Sequence, residues 1–280
     1  MNLSKFQFGY EKHGIIGFIN VLLGKLGFKY RLENQLKKLI IWHGKNIEKI
    51  SKNKIINGNY KDVKIQLNKN WRNDDVASKY LGLYELEVQE CIINSQKNKK
   101  LRKKFLVNLG AGEGYHSIGL LKKKIFDGAI LYEIDDNGQN LIKSNSKINK
   151  VSKKIKVSGE AKIDFLNDHN FKNLKLKDCF FLLDIEGDEF KLLNDENIKK
   201  LKKSNLLIEV HPMYEVNGKR PNPEVLIKKL KKFFKINTLT TTNRDLSNFK
   251  FLDSMHENEK WLLVNEGRPE KMEWLMCIPK

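Results

Sequence analysis

From residue 105 onward the chain alternates short apolar runs with amphipathic ones. The apolar runs fall at 105–109, 129–133, 155–157, 179–184, 206–210, 235–240 and 274–278. Between most of them apolar positions recur at helical spacing, over 115–124, 137–148, 189–203 and 223–233. Strands this short and this continuously apolar suit a parallel sheet covered on both faces. Their alternation with helices predicts βαβ units in a doubly wound, mostly parallel, seven-stranded Rossmann-like α/β sheet. No helical pattern separates the last two runs, which fits a final strand antiparallel to the rest.

The first hundred residues lack that alternation and show no internal repeat. Helical periodicity covers 25–48 and 76–94, and 63–67 reads as a strand. The lysine run 97–104 reads as a solvated connector. The chain therefore divides into a mainly helical N-terminal extension, 1–100, packed on the core and available to the substrate site, and a cofactor-binding domain, 101–280. The apolar stretch 14–24 (GIIGFINVLLG) is too short to span a bilayer. It lacks a basic leader and a small-residue cleavage site. Packing on the core is its first reading and an interfacial membrane helix its second. Cys91, Cys179 and Cys277 are far apart and in no metal-ligand spacing, and Cys179 and Cys277 sit in apolar strand-like runs, as buried thiols of a reducing compartment would. A cytoplasmic protein, with room for peripheral contact at the inner face of a membrane, is the expectation.

Net charge of +19 invites a nucleic-acid reading, yet only six of the fifty-three basic residues are arginine. Arginine is the side chain that reads bases and phosphates bidentately. A solvated lysine coat is the simpler account, and nucleic acid is not expected as a partner. Hydrophobic residues make up 40% of the chain, enough for a true core.

The candidate chemistry sits at the carboxyl ends of the strands, where ligands bind in open α/β sheets. The first strand ends in Asn108-Leu-Gly110-Ala111-Gly112-Glu113-Gly114-Tyr115 and runs straight into a helix. Alternate glycines allow a sharp turn and a close ligand approach, and the helix presents free N–H groups there. A dinucleotide fingerprint would place a glycine at 115, where this chain has tyrosine; the spacing instead resembles that of S-adenosylmethionine (SAM) methyltransferases. Glu133, at the end of the second strand, is placed to accept hydrogen bonds from a ribose diol. Glu160 and Ala161, in the turn after the third, are placed against an adenine. Four carboxylates, Asp184, Glu186, Asp188 and Glu189, follow the fourth strand. Asp184 is the candidate for stabilising a sulfonium or acting as a base, and Glu189 for capping the next helix. The fifth strand ends Glu209-Val-His211-Pro212, and alternation puts Glu209 and His211 on one side. His211 is placed to take a proton from a substrate hydroxyl, with Glu209 orienting it and Glu186 or Glu209 binding substrate. The same carboxylates offer Mg²⁺ a site that would polarise a diol, and the sequence leaves both routes open.

Three segments together resemble the FkbM-type SAM-dependent methyltransferases: Val107 to Tyr115, Leu183-Asp-Ile-Glu-Gly-Asp-Glu189 and Ile208-Glu-Val-His211. Gly82-Leu-Tyr-Glu85 resembles that family's segment entering the cofactor site. The resemblance covers roughly residues 74–212. It implies a class I fold, cofactor contacts from Glu85, Asn108, the 110–114 turn, Glu133, Glu160, Ala161 and Asp184, and methyl transfer to a hydroxyl of a sugar, polysaccharide precursor or related natural product. Many relatives carry an acidic residue where this chain has Asn108, which can hydrogen-bond the methionine end of SAM but cannot pair with its ammonium. The alternatives are methylation of RNA or protein, and a non-catalytic or membrane-associated binding module. The Asn/Asp-Pro-Pro-aromatic motif of enzymes that methylate amide or base nitrogens is absent after the fourth strand. The acceptor and the oligomeric state are not legible.

Overall fold

The apolar run Phe105–Leu109 forms β1 and lies in the middle of a seven-stranded sheet. The computed structural model describes residues 32–68, 73–212, 220–268 and 272–280, together with Ile15, Ile19 and Leu22. The other strands are β2 (Gly128–Tyr132), β3 (Ile155–Ser158), β4 (Cys179–Leu183), β5 (Asn205–Val210), β6 (Phe234–Thr240) and β7 (Glu273–Pro279). Their order across the sheet is β3-β2-β1-β4-β5-β7-β6. The first five run parallel, with Leu109 level with Tyr132 on one side and Leu183 on the other. β7 is antiparallel to both β5 and β6. Every residue of β2, β4 and β5 is buried, as covering on both faces demands. Because order reverses between β1 and β4, their carboxyl ends flank the crevice where such sheets take ligands.

The helices are α1 (Leu32–Ser51), α2 (Val76–Leu81), α3 (Leu86–Lys97), α4 (Tyr115–Lys122), α5 (Asp136–Ile148), α6 (Glu189–Leu192), α7 (Asp195–Leu201), α8 (Pro223–Leu230) and α9 (Glu257–Leu262). One apolar layer joins the early segment to the sheet: Ile47, Tyr60, Val63, Tyr80 and Val88 pack with Leu106, Ile118, Leu131 and Trp274. On the other face Val107, Ile130 and Phe181 pack with Ile198, Leu226 and Leu230.

Five local expectations are not met in full. The helix predicted over 76–94 breaks into α2 and α3 at Gly82, whose φ of 79° closes α2; a Cβ there would meet the Asn57 carbonyl oxygen at 2.1 Å. The helix over 189–203 breaks at Asn194, whose side chain caps α7 by accepting the Asn197 N–H at 2.9 Å. Residues 63–67 make one bridge, Lys54 to Lys64, rather than a strand. The link between β6 and β7 does hold a helix, α9, but at six residues it is too short to show a stripe. Of the stretch 14–24, Ile15, Ile19 and Leu22 are helical and exposed, so core packing is not met at those three; the rest lies outside the described residues, as does all of 25–31.

Candidate functional site

The turn after β1 is built around contacts that only glycine permits. Gly110 has φ 79°, and a Cβ on it would fall 1.7 Å from the Asp184 carbonyl oxygen. The Gly110 and Ala111 N–H groups both donate to the Tyr132 carbonyl, at 3.0 and 2.9 Å, while Asp184 N–H donates to Leu109 O at 3.0 Å. The ends of β2, β1 and β4 are thereby tied to one another. Gly112 and Gly114 also have positive φ, and Gly114 forms the N-terminal cap of α4. A cavity of about 560 Å³ opens above this turn.

Glu133 sits at one end of the cavity, buried, with its two oxygens accepting the Gly112 N–H at 2.7 Å and the Asp135 N–H at 2.9 Å. Burial pushes its pKa up, against the pull of those two N–H groups. Each oxygen keeps a further lone pair for a ligand hydroxyl. Glu160 and Ala161 line the cavity nearby, Glu160 being exposed. Asn108 also lines it. Its Nδ2 donates to Ser117 Oγ at 2.9 Å, and its buried Oδ1 has no hydrogen-bond partner. A buried acceptor left open is costly, about 1–3 kcal/mol, unless a ligand donor reaches it.

Glu113 faces the cavity too, but its charge is already answered: Lys79 Nζ lies 2.8 Å from Glu113 and 2.9 Å from Asp75. Lys79 is buried, and although burial opposes its charge, the two carboxylates raise its pKa further. Glu85 is bonded to His116 Nε2 at 2.8 Å and to Arg268 at 3.2 Å. Burial by itself would raise the Glu85 pKa; the His116 and Arg268 contacts outweigh it and lower the pKa.

At the β4 end, Asp184 and Glu186 line the cavity, Glu186 with φ 52°. His211 and Glu209 do not line it but stand directly against these two. His211 Nε2 lies 3.5 Å from Asp184, 3.6 Å from Glu209 and 3.7 Å from Glu186. The same-side placement expected of Glu209 and His211 is thus realised. Glu189 is fully buried and accepts the Gly187 N–H at 2.9 Å and the His211 N–H at 2.7 Å, locking the loop before α6 to the end of β5. Burial and then the Glu85 charge push Asp184 up to about 6. Burial and then Asp184 push Glu209 well above the usual carboxylate range, despite Arg268. Burial would lower His211, but the Glu189 hydrogen bond and the surrounding carboxylates raise it. Two overlapping sets, Asp184 with Glu186 and His211, and Asp184 with Glu85 and Glu209, could each offer three donor atoms to a cation within 4.8 Å. In the second set Arg268 already contacts both glutamates.

The residues least legible beforehand come from the C-terminal part of the chain. Arg268 spans Glu209 at 2.8 Å, Glu266 at 2.9 Å and Glu85 at 3.2 Å. Arg244 pairs with Glu266 at 2.7 Å and Glu87 at 2.8 Å. The one available signal was the choice of arginine in a chain that otherwise uses lysine, since a planar guanidinium forks to three carboxylates at once.

No protein-family model matches the chain, and neither does any curated protein. Among solved structures, the METTL16 methyltransferase domain is similar at 15% identity over 77% of this chain and 73% of that one, with TM-score 0.48. The B. subtilis M1A22 tRNA methyltransferase TrmK is similar at 15% identity over 69% and 64%, with TM-score 0.42. The Streptococcus pneumoniae protein Sp1610 is similar at 14% identity over 63% and 64%, with TM-score 0.41. The chain spans less than two thirds of the length of these last two. The fold assignment rests on this chain's own sheet: five parallel strands with an antiparallel β7 between β5 and β6, a doubly wound Rossmann-like arrangement.

Proposed function

We propose that this chain is a SAM-dependent methyltransferase acting on a hydroxyl of a sugar, polysaccharide precursor or related natural product. The observation that carries the reading is the cavity lined by the glycine turn, Glu133, Asn108 and the acidic end of β4. These residues fit the cofactor: Glu133 would take the ribose diol, Glu160 and Ala161 the adenine, Asn108 and Glu85 the methionine end. When bound, SAM supplies an electrophilic methyl group on a sulfonium.

The chain's task is then to hold the acceptor oxygen in line and take its proton. Among the groups facing the cavity, Asp184 is tuned for this, because a carboxyl held near about 6 is ionised at neutral pH yet a better base than an ordinary carboxylate. His211, against Asp184 but not on the cavity wall, orients that carboxylate and stabilises its charge. Direct proton abstraction by His211, the sequence-based expectation, gives way to this arrangement. Glu209, held by Arg268, keeps His211 in place, and Glu186 is free to bind acceptor hydroxyls. The carboxylates of Asp184, Glu186 and Asp188 at the mouth repel phosphate and so favour an uncharged acceptor over RNA. The resemblance to FkbM-type enzymes supports the hydroxyl acceptor.

Calorimetry with SAM and with S-adenosylhomocysteine, followed by transfer of labelled methyl to isolated cell-envelope glycans, tests the reading. An absence of heat with both nucleosides would remove it. Turnover that persists in EDTA supports Asp184 as the base, whereas loss in EDTA restored by Mg²⁺ would assign the carboxylates to a metal.

A further inference from the structure

The outward side of α1 is divided by chemistry. Ile40, His43 and Ile47 turn into the protein, while Leu39, Trp42 and Ile50 are exposed, Trp42 at 57%. With about 100° of rotation per residue, Lys38, Lys45 and Lys49 fall on a strip directly beside Trp42, and all three are exposed. The Trp42 ring is held edge-on to His43 at 4.8 Å. Helix α9 packs on α1, with Glu259 4.0 Å from His43, and carries a second open tryptophan, Trp261, at 61%. Ile15, Ile19 and Leu22, separated by four and then three residues as one helical face requires, are exposed as well. Trp42, with Leu39 and Ile50 on one side of it along α1 and Lys38, Lys45 and Lys49 on the other, makes an amphipathic strip of the kind that marks an interaction surface.

We propose that this face docks on the surface of an anionic lipid bilayer. Amphipathic indole rings settle at the headgroup level, and lysines beside them sit over lipid phosphates. The only carboxylate among the described side chains of α1 is Glu48, which is half-buried, so the described exposed strip of α1 is basic; on α9, Glu257 pairs with Lys260 at 3.3 Å and Glu259 lies against His43. A second copy of the chain is the poorer occupant, because each copy carries +19. No described helix is long and apolar enough to cross the membrane, so the contact lies on the bilayer rather than through it. This surface is independent of the cavity and of methyl transfer.

Co-sedimentation of the full chain with vesicles of phosphatidylcholine, alone or with phosphatidylglycerol added, tests the proposal. Binding is expected only with the anionic vesicles and should weaken as salt is raised. The exposed pair L39S/W42S should lower the affinity at least about tenfold, with an unchanged melting temperature. The charge variant K38E/K45E/K49E should lose binding independently. Failure to bind anionic vesicles, equal binding to neutral ones, or unchanged binding by both variants would overturn it. So would a dimer in light scattering that L39S/W42S dissociates.

Discussion

Asp184 Oδ1 and His211 Nε2 lie 3.5 Å apart, joining the end of β4 to the end of β5. One group faces the cavity and the other is buried against it, and three further carboxylates surround the imidazole. Both have pKa values raised, so the folded state favours protons on this cluster.

That linkage fixes a pH dependence. The stability contributed by protonated Asp184 is fully present below its ordinary value of 3.8 and is lost as pH rises through about 6. The His211 contribution behaves alike, present below 6.5 and lost as pH rises through its higher folded value. Asp184→Asn should therefore be more stable than the parent protein above about pH 6, with the difference vanishing in acid; urea denaturation across pH measures it. In the parent, kcat/KM should rise with pH around an apparent pKa near about 6. A flat profile would discard Asp184 as the base.

Cofactor contacts separate by charge. Glu133→Ala should weaken SAM and S-adenosylhomocysteine alike, by about tenfold or more, since hydrogen bonds to a charged group contribute about 1.5–3 kcal/mol each. Asp184→Asn should weaken SAM more than its uncharged product, because only SAM carries the sulfonium. Isothermal calorimetry with both nucleosides reads the two patterns.

Arg268 is the counter-charge of a buried acidic group. Arg268→Met would leave Glu85, Glu209 and Glu266 without their shared guanidinium and should cost about 3–5 kcal/mol in chemical denaturation. Arg268→Lys should recover part of that loss, a single ammonium being unable to fork to three partners. A loss under about 1 kcal/mol would show that the network contributes little.

Gly110→Ala is expected to fail twice over. The left-handed backbone costs about 1–2 kcal/mol for a residue with a Cβ, and that Cβ would displace the Asp184 carbonyl, 1.7 Å away. Lower thermal stability and lost SAM binding should appear together. If binding survives intact, the turn does not hold the cofactor.

The chain itself determined the strands and what stands at their ends. Alternating apolar runs specify a covered parallel sheet because a strand buried on both faces has no polar side to show. The placement of Glu133, Asp184 and His211 after such runs therefore puts them on one edge before any contact is known. Local pattern was weaker where a single residue outvotes propensity, as Gly82 and Asn194 do in splitting two helices.

Tertiary structure alone decided which charges meet. Lys79 reaches Glu113 from 34 positions away and Arg268 reaches Glu85 from 183 away, and no periodicity encodes such pairs. It also decided that Asp184 faces the cavity while His211 stands against it, a difference set by how β4 and β5 end side by side. Sequence fixes side-chain direction within a strand through the pleat; burial and charge pairing, which set the proton affinities here, depend on neighbours that only folding supplies.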